Sequence, residues 1–287
     1  MDGVGDEEEL LGTVAVLRRY PVKSMLGEEL PACEVTGRGL CGDRALALVH
    51  RETGKVASAK NPRLWRRMLK LAAVSGPDVK ITFPDGTAMA STDPGIDAAL
   101  SRFLGQPVTL TATPPPAATL DRADPEQVLR NGIEATVRVE VGQLGGASPE
   151  GTFFDYAPLH LLTTSTLERI AQLSPRGAVE LARYRPNLVI RATAPGFTEN
   201  DWVGRDLRIG TDLTVRVLLR SPRCAIPTLE HGDLPRDLDA LRVPAAHNRI
   251  SPLGDFGPQP CAGVYAEVLR PGRVQTGDAV HVVTEPA

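Results

Sequence analysis

Arg223 and Cys224 place a guanidinium beside a thiol at the end of an alternating apolar run, Leu213–Leu219. Thiolate is a soft metal ligand, and a neighbouring Arg or Lys favours the deprotonated form of a thiol. A thiolate among several cations therefore suits a soft metal that is carried by an anionic organic ligand. The alternative is that Cys224 is a small buried residue at the end of a strand, as most lone cysteines are.

Two further segments carry side chains that suit an anionic ligand. Lys23 and Ser24 end the segment Tyr20–Ser24, where an ammonium and a hydroxyl together suit a phosphate oxyanion. Arg185 and Asn187 flank Pro186 at the start of a predicted strand. The forked guanidinium of the arginine and the amide of the asparagine suit a phosphate or the edge of a pterin. The alternative for this second pair is an exposed arginine and a turn asparagine.

Hydroxyl residues stand at the start of the predicted helix Ser165–Tyr184, for which Ser165 and Glu168 are predicted to form a capping box. The first turn of a helix offers free backbone N–H groups to an anion. Thr163, Thr164 and Ser165 are therefore candidate anion-binding residues, with capping alone as the alternative.

Taken together, these segments resemble the MOSC family, the molybdenum-cofactor-sulfurase C-terminal domain, preceded by its N-terminal barrel partner. Within that family the similarity is to the amidoxime-reducing members and their bacterial relatives. The segments that carry the resemblance are Tyr20–Ser24, Gly39–Arg44, Phe154–His160, Leu162–Leu167, Arg185–Asn187 and Arg223–Cys224.

The resemblance implies that Cys224 ligates molybdenum and is the catalytic residue. The residues it implies for binding the organic part, molybdopterin, are Lys23, Ser24, Arg44, Thr163, Thr164, Ser165, Arg185, Asn187 and Arg223. Other residues of these segments are expected to be structural: Asp43 as a turn cap or partner of Arg44, Cys41 as incidental, His160 as a core histidine, and Arg183 at the surface.

The function that the resemblance implies is a molybdenum-cofactor oxidoreductase that reduces N-hydroxylated or otherwise N-oxygenated small molecules. A separate electron-donor protein, of ferredoxin or flavoprotein type, is expected because the chain carries no clustered-cysteine domain of its own. Two alternatives stay open: a sulfur carrier or sulfurtransferase with a Cys224 persulfide, and a cofactor-binding protein without catalysis. The loop Ala225–Gly232 departs from the family pattern, so the substrate stays open as well.

The elements that must position these residues are mostly strands, and the predicted fold class is α+β and predominantly β. The proline run Pro114–Pro116 is predicted to be a linker. It divides a smaller N-terminal β-barrel-like domain, 10–115, from a MOSC β-barrel domain, 116–287. A short helix is predicted to begin with Asn61 as its N-cap, and residues 225–262 are predicted to be a long functional loop.

The composition argues against several other classes of protein. The net charge of −3 gives no strong attraction to nucleic acid or anionic lipid, and no apolar run reaches the ~20 residues that span a bilayer. The acidic start, Met1–Glu9, has no apolar core like that of a signal peptide, so a cytoplasmic protein is expected. The four cysteines show no Cys-x-x-Cys spacing and are expected to be reduced thiols, not zinc or iron–sulfur ligands.

Overall fold

The computed structural model describes residues 9–254 and 256–283, so most of the acidic N-terminal segment lies outside the described residues. In chain order the strands are β1 Leu10–Arg19, β2 Glu28–Leu30, β3 Ala32–Thr36, β4 Gly39–Leu40, β5 Ala47–His50, β6 Ala72–Val74, β7 Lys80–Thr82, β8 Ala88–Ala90, β9 Val108–Thr111, β10 Thr119–Ala123, β11 Val139–Gln143, β12 Leu159–Thr163, β13 Leu188–Ala192, β14 Asp206–Ile209, β15 Leu213–Pro222, β16 Arg249–Ile250, β17 Gln259–Arg270, β18 Gly272–Gln275 and β19 Ala279–Val282.

The α-helices of the described residues are α1 Pro62–Trp65, α2 Ile96–Leu104, α3 Pro125–Asn131, α4 Thr164–Leu173 and α5 Asp239–His247. Short 3₁₀ helices cover Arg66–Lys70, Leu181–Arg183, Thr198–Trp202 and Ile226–Thr228. None of the helices in the described ranges is both long enough and apolar enough to cross a bilayer.

Seven strands close into a barrel in the order β12-β13-β1-β19-β14-β15-β17, because β17 pairs back with β12. Closure leaves no free edge on these strands, which stabilises the sheet against pairing with other chains. The barrel interior is packed with aliphatic side chains such as Val14, Ile190 and Val264. Alternate residues of β15 are buried, as its sequence predicts.

A second, smaller β-rich core lies in the N-terminal half of the chain. It contains the pair β5-β9 and the three-stranded sheet β6-β7-β8, with α2 packed against them. Its interior includes Met25, Leu48, Met68, Leu71 and Leu100. The predicted fold class, α+β and predominantly β with a barrel, is therefore confirmed.

Strand pairing crosses the division that the sequence predicts after residue 115. β1, from the N-terminal stretch, pairs with β13 and β19 inside the barrel, and β3 pairs with β18. The division into 10–115 and 116–287 stays a prediction. The two parts are joined by main-chain hydrogen bonds as well as by the chain itself.

Two local predictions were wrong. The N-cap of α4 is Thr163, whose hydroxyl accepts from the Thr166 amide at 3.1 Å, so Ser165 and Glu168 form no capping box. Residues 225–262 contain α5 in spite of Pro244. A proline inside a helix leaves the carbonyl four residues earlier without its amide donor. Here that carbonyl, of Ala240, accepts from the Tyr184 hydroxyl at 2.7 Å.

Gly263 is a position where the barrel has no room for a side chain. It lies at a register shift between β15 and β17, with φ +81°. A Cβ there would lie 2.5 Å from the Leu161 carbonyl oxygen and against the His160 ring. We expect Gly263→Ala to lower the free energy of unfolding by about 1–3 kcal/mol, the usual cost of overpacking. Urea unfolding measures it.

The matched control is Gly142→Ala, because a Cβ at Gly142 meets open space and β11 is exposed. Its midpoint in urea should stay close to that of the parent chain. If Gly263→Ala unfolds at the same urea concentration as this control, the close approach of β17 to β12 described here does not exist in solution.

Candidate functional site

The buried carboxylate of Asp43 joins three of the segments that the sequence singled out. It accepts from the Tyr20 amide at 2.7 Å and from Asn187 Nδ2 at 3.0 Å, and it forms an ion pair with Arg44. The side chain of Asp43 is completely buried. The expectation that Asp43 pairs with Arg44 is confirmed. The same carboxylate also ties β1, the turn after β4 and the start of β13 to one point.

The backbone is strained at three predicted site residues. Ser24, Arg44 and Arg185 have φ angles of +63°, +47° and +56°. Side chains other than glycine rarely adopt this left-handed region, where the Cβ crowds the backbone. Among the described residues only one other non-glycine, Ala117, has a positive φ. Strain of this kind concentrates at ligand and catalytic sites, so its coincidence with the predicted residues supports a functional role for them.

Two buried lysines share one carboxylate oxygen. Lys23 Nζ donates to Asp155 Oδ1 at 2.6 Å and to the Phe153 carbonyl at 2.7 Å, and Lys60 Nζ lies 3.1 Å from the same Asp155 oxygen. Burial lowers the pKa of Lys23 to about 8, and repulsion from Lys60 acts in the same direction. Burial alone would raise the pKa of Asp155, but the two ammonium groups hold it well below its usual value.

The guanidinium groups of Arg44 and Arg185 lie against the ring of Tyr20, at 4.9 and 4.3 Å from its centroid. Arg185 is 8% exposed and its Nη1 donates to the Met25 carbonyl at 2.7 Å. Its other two nitrogens donate to no group among the described residues. Burial lowers the pKa of Arg185 to about 10. Arg185 is thus a fixed cation with spare donors.

Lys23, Arg44, Lys60 and Arg185 together form what we call the cation cluster. The carboxylates that face it are Asp43 and Asp155, so positive charges outnumber negative ones by two. A phosphate monoester carries about −1.5 to −2 at pH 7 and would balance this excess. The charge and the spare donors of the cluster therefore fit the phosphate of a pterin cofactor.

Cys224 is connected to the cation cluster through Ala59, the residue before Lys60. Its thiol is free and partly exposed, and it packs against Ala59, Leu69, Ile226 and Leu229. The Ala59 amide donates to Ser24 Oγ at 3.2 Å, and Lys60 is the next residue along the chain. The structure thus brings the thiol close to the segments that contain Lys23, Ser24 and Lys60.

Arg223 is held by the barrel. Its Nη2 donates to the Tyr184 carbonyl at 2.8 Å and its Nη1 to Ser221 Oγ at 3.0 Å, while its Nε is buried without a partner among the described residues. Nη1 also lies 3.4 Å from His160 Nε2. Burial, together with Arg223, lowers the pKa of His160 to about 3, so this core histidine is neutral at physiological pH.

The remaining predicted residues are engaged within the protein. Asn187 is 1% exposed; its Nδ2 donates to Asp43 and its Oδ1 accepts from the His160 amide. Thr163 donates to the buried carboxylate of Glu199 at 2.7 Å, and Ser165 donates to Thr163. These bonds give all three a structural role, and a cofactor role for them stays a prediction.

Thr164 is the exception at the start of α4. Its side chain is partly exposed and makes no hydrogen bond to the described residues. Of the three hydroxyl residues predicted here, it is the one whose donor is free for a ligand.

Several residues that shape the site were missed from the sequence. Lys60 stands in no distinctive motif, although lysine is scarce in this chain. Asp155 lies within the segment Phe154–His160, but its residue type alone indicates no role. Arg183, expected at the surface, is completely buried. It donates to the Leu229 carbonyl at 3.1 Å and the Pro235 carbonyl at 2.9 Å, which holds the loop that follows Cys224.

Comparison with known families identifies two domains in the chain. Residues 11–107 match the MOSC N-terminal beta barrel domain, and residues 149–281 match the MOSC domain. MOSC domains are associated with the molybdenum cofactor. The predicted resemblance is confirmed.

Two relatives are similar over nearly the whole chain. Mitochondrial amidoxime-reducing component 1 of Mus musculus is 22% identical over 307 residues, which cover 95% of this chain and 83% of the mouse protein. The Homo sapiens protein of the same name is 24% identical over 297 residues, with the same coverage. Among solved structures, the YUAD protein from Bacillus subtilis has 12% sequence identity and a TM-score of 0.43, covering 96% of this chain and 98% of that one.

The cation cluster should bind a simple dianion even without a cofactor. Sulfate should raise the Tm of cofactor-free protein. At a sulfate concentration of ten times the Kd, we expect binding to add about 1.4 kcal/mol to the free energy of unfolding. Lys60→Met should weaken sulfate binding roughly ten- to a hundredfold, because one charge-assisted bond contributes about 1.5–3 kcal/mol. The control is Lys55→Met, since Lys55 also pairs with an aspartate, Asp121, but outside the cluster.

Sulfate binding should also depend on pH in one direction. In the free protein the ammonium of Lys23 loses its proton as pH rises through about 8. Bound sulfate would stabilise the charged ammonium and so keep that proton on Lys23. The affinity should therefore fall above that pH, by at most about tenfold per pH unit, and stay level below it. Equal sulfate affinity in both lysine variants, with no decline at alkaline pH, would place the anion elsewhere.

Proposed function

The chain belongs to the MOSC family, and we propose that it is a molybdenum–molybdopterin oxidoreductase that reduces N-hydroxylated or otherwise N-oxygenated small molecules. The observation that carries the proposal is the under-neutralised cation cluster beside a partly exposed thiol, Cys224. The names of the two relatives, which are amidoxime-reducing components, support the choice of substrate class.

Within this proposal the residues divide into two groups. Lys23, Lys60, Arg44 and Arg185 would hold the phosphate end of the cofactor, and Cys224 Sγ would bind the metal. One thiolate would not complete the coordination of the metal, so the cofactor itself would have to supply further ligands. When bound, the cofactor supplies the two-electron chemistry, while the protein supplies binding, orientation and electrostatics.

Arg223 acts as a positioning residue. Its bonds to Tyr184 and Ser221 fix the backbone on which Cys224 lies, and the bonds of Arg183 fix the loop that follows. The neutral ring of His160 lies against Arg223 and adds no second charge there. These contacts hold the thiol in one place while its outer face stays accessible.

The proposed overall reaction consumes no group of the protein. An N-hydroxylated substrate takes up two electrons and two protons, its N–O bond breaks, and the products are the deoxygenated nitrogen compound and water. The electrons come from a separate donor protein of ferredoxin or flavoprotein type. The two protons come from solvent.

Metal binding and turnover should both depend on Cys224. Protein produced in a cofactor-competent host and given a chemical reductant should convert an amidoxime to the amidine, whereas cofactor-free protein should not. Cys224→Ala should purify folded, with less molybdenum than the parent chain and without activity, because the variant lacks the thiolate ligand while the cation cluster still holds the organic part. Cys41→Ala is the control, since Cys41 is an exposed free thiol whose loss should change little. Elemental analysis and product chromatography measure the two properties.

Incubation of cofactor-free protein with a cysteine desulfurase and cysteine tests the sulfur-carrier function. Intact mass would show a persulfide as the gain of one sulfur at Cys224. Transfer of that sulfur to an acceptor, with no reduction by the metal-loaded form, would replace the reductase function with that of a sulfur carrier. Full molybdenum occupancy in Cys224→Ala would contradict the assignment of the ligand.

A further inference from the structure

The stretch of chain between Glu52 and Asp78 carries more positive charge than the candidate site uses. It contains lysines and arginines but no carboxylate, in a chain whose net charge is −3. Its cations are Lys55, Lys60, Arg63, Arg66, Arg67 and Lys70. Lys60 belongs to the cation cluster, and Lys55 pairs with Asp121. The others lie on α1 and on the 3₁₀ helix that follows it.

These two short helices present their cations on one face. Positions 63, 66, 67 and 70 are three or four residues apart, which places their side chains on the same side of a helix. Arg63 and Arg67 are exposed, whereas Leu69 is buried on the other side. Leu64, which lies between the two arginines in the chain, is 38% exposed. We define the basic face as Arg63, Leu64, Arg66, Arg67 and Lys70.

The two exposed arginines of the basic face are not neutralised within the protein. Arg63 donates to the Thr136 hydroxyl at 2.9 Å, and the Arg67 guanidinium lies 4.4 Å from the centroid of the Phe103 ring. Both partners are uncharged, and neither arginine has a carboxylate partner in the part of the chain that the structure describes. The basic face therefore keeps a net positive charge toward solvent.

The other two cations of the basic face form exposed ion pairs. Arg66 pairs with Glu134, and Lys70 pairs with Glu230 at 2.8 Å. The two glutamate side chains are 70% and 51% exposed. Exposed ion pairs contribute little to stability, because water and salt screen them. A carboxylate of another molecule can therefore replace either glutamate at small cost.

The inner side of the same helices packs near the candidate metal ligand. Leu69 belongs, with Ala59, to the apolar group against which Cys224 packs. An α-helix with its side chains is about 10–12 Å in diameter. The basic face therefore lies about one helix diameter from the surroundings of Cys224. A protein that docks on the basic face brings its own redox group close to the candidate metal site.

We propose that the basic face docks the electron donor, and that this donor is a ferredoxin with an acidic surface. The inference rests on the proposed function and deepens it, because it names the partner of the same site. Arginines around an exposed apolar side chain, here Leu64, are typical of protein interfaces. Electron-transfer encounters bury less than about 1,200 Å², so one helix face provides enough area. Each reduced ferredoxin loses one electron, so two of them in turn supply the two electrons that break the N–O bond.

Charge reversal on the basic face tests the docking separately from the chemistry. The double variant Arg63→Glu with Arg67→Glu reverses two charges, and Arg63→Gln with Arg67→Gln removes them. The matched control is Arg191→Glu with Arg270→Glu, because both arginines are exposed on strands of the barrel, outside the basic face. The control makes the same change in the net charge of the protein.

The first readout is amidoxime reduction by the metal-loaded protein, with reduced plant-type ferredoxin or with a chemical reductant. We expect charge reversal to lower the kcat/KM for ferredoxin at least about tenfold, since electrostatic steering changes association rates by about ten- to a thousandfold. The neutral variant should lie between the reversed variant and the parent chain, and the control should match the parent chain. With the chemical reductant, all variants should match the parent chain.

The second readout does not depend on turnover: calorimetric binding of oxidised ferredoxin to the metal-loaded protein. The parent chain and the control should bind it, and the reversed variant should bind it at least about tenfold more weakly. The affinity of the parent chain should fall as salt rises from about 0.1 to 1 M, because the screening length falls from about 10 to 3 Å.

The outcomes separate the docking surface from the proposed function. Ferredoxin binding that is lost on charge reversal, with no turnover under either reductant, would overturn the proposed function and leave the docking surface standing. Equal ferredoxin binding and equal ferredoxin-supported rates in the reversed variant and the control would overturn the docking surface. So would an absence of ferredoxin binding in protein that turns over with the chemical reductant.

Discussion

The structure of the candidate site depends on one buried carboxylate, that of Asp43. Burying an unpaired carboxylate costs several kcal/mol, so its donors are constrained to stay close. Those donors are the Tyr20 amide, Asn187 Nδ2 and the Arg44 guanidinium, which belong to three separate stretches of chain. Because all three meet at Asp43, the ring of Tyr20 lies where both Arg44 and Arg185 pack against it.

The same arrangement is energetically costly at the place where a ligand would bind. Three residues there adopt left-handed backbone conformations, and the cation cluster carries more positive than negative charge. The closed barrel and the second core, with their buried aliphatic side chains, offset these costs. The barrel stabilises the fold, while the segments that flank its strands carry the excess charge, the spare donors and the thiol.

The sequence predicted the parts of this site that lie in short, chemically distinctive segments. Residue type and position were enough to identify three of them. Arg223 and Cys224 follow an alternating strand, Arg185 precedes another strand, and Lys23 and Ser24 follow a third. Lys60 and Asp155 were not, because their roles depend on a contact between positions 95 residues apart. Helix α5 was missed because Pro244 breaks the local pattern, and the compensating bond from Tyr184 is a tertiary contact.

The most direct test of the central claim, that Cys224 binds the metal beside a cationic cofactor site, is X-ray absorption at the molybdenum edge. The parent chain should be compared with Cys224→Ser, both produced in a cofactor-competent host, with pterin content measured on the same samples. The account predicts that any metal retained in the variant has one fewer sulfur neighbour, while the cation cluster still retains pterin. An unchanged sulfur coordination in the variant would contradict the account.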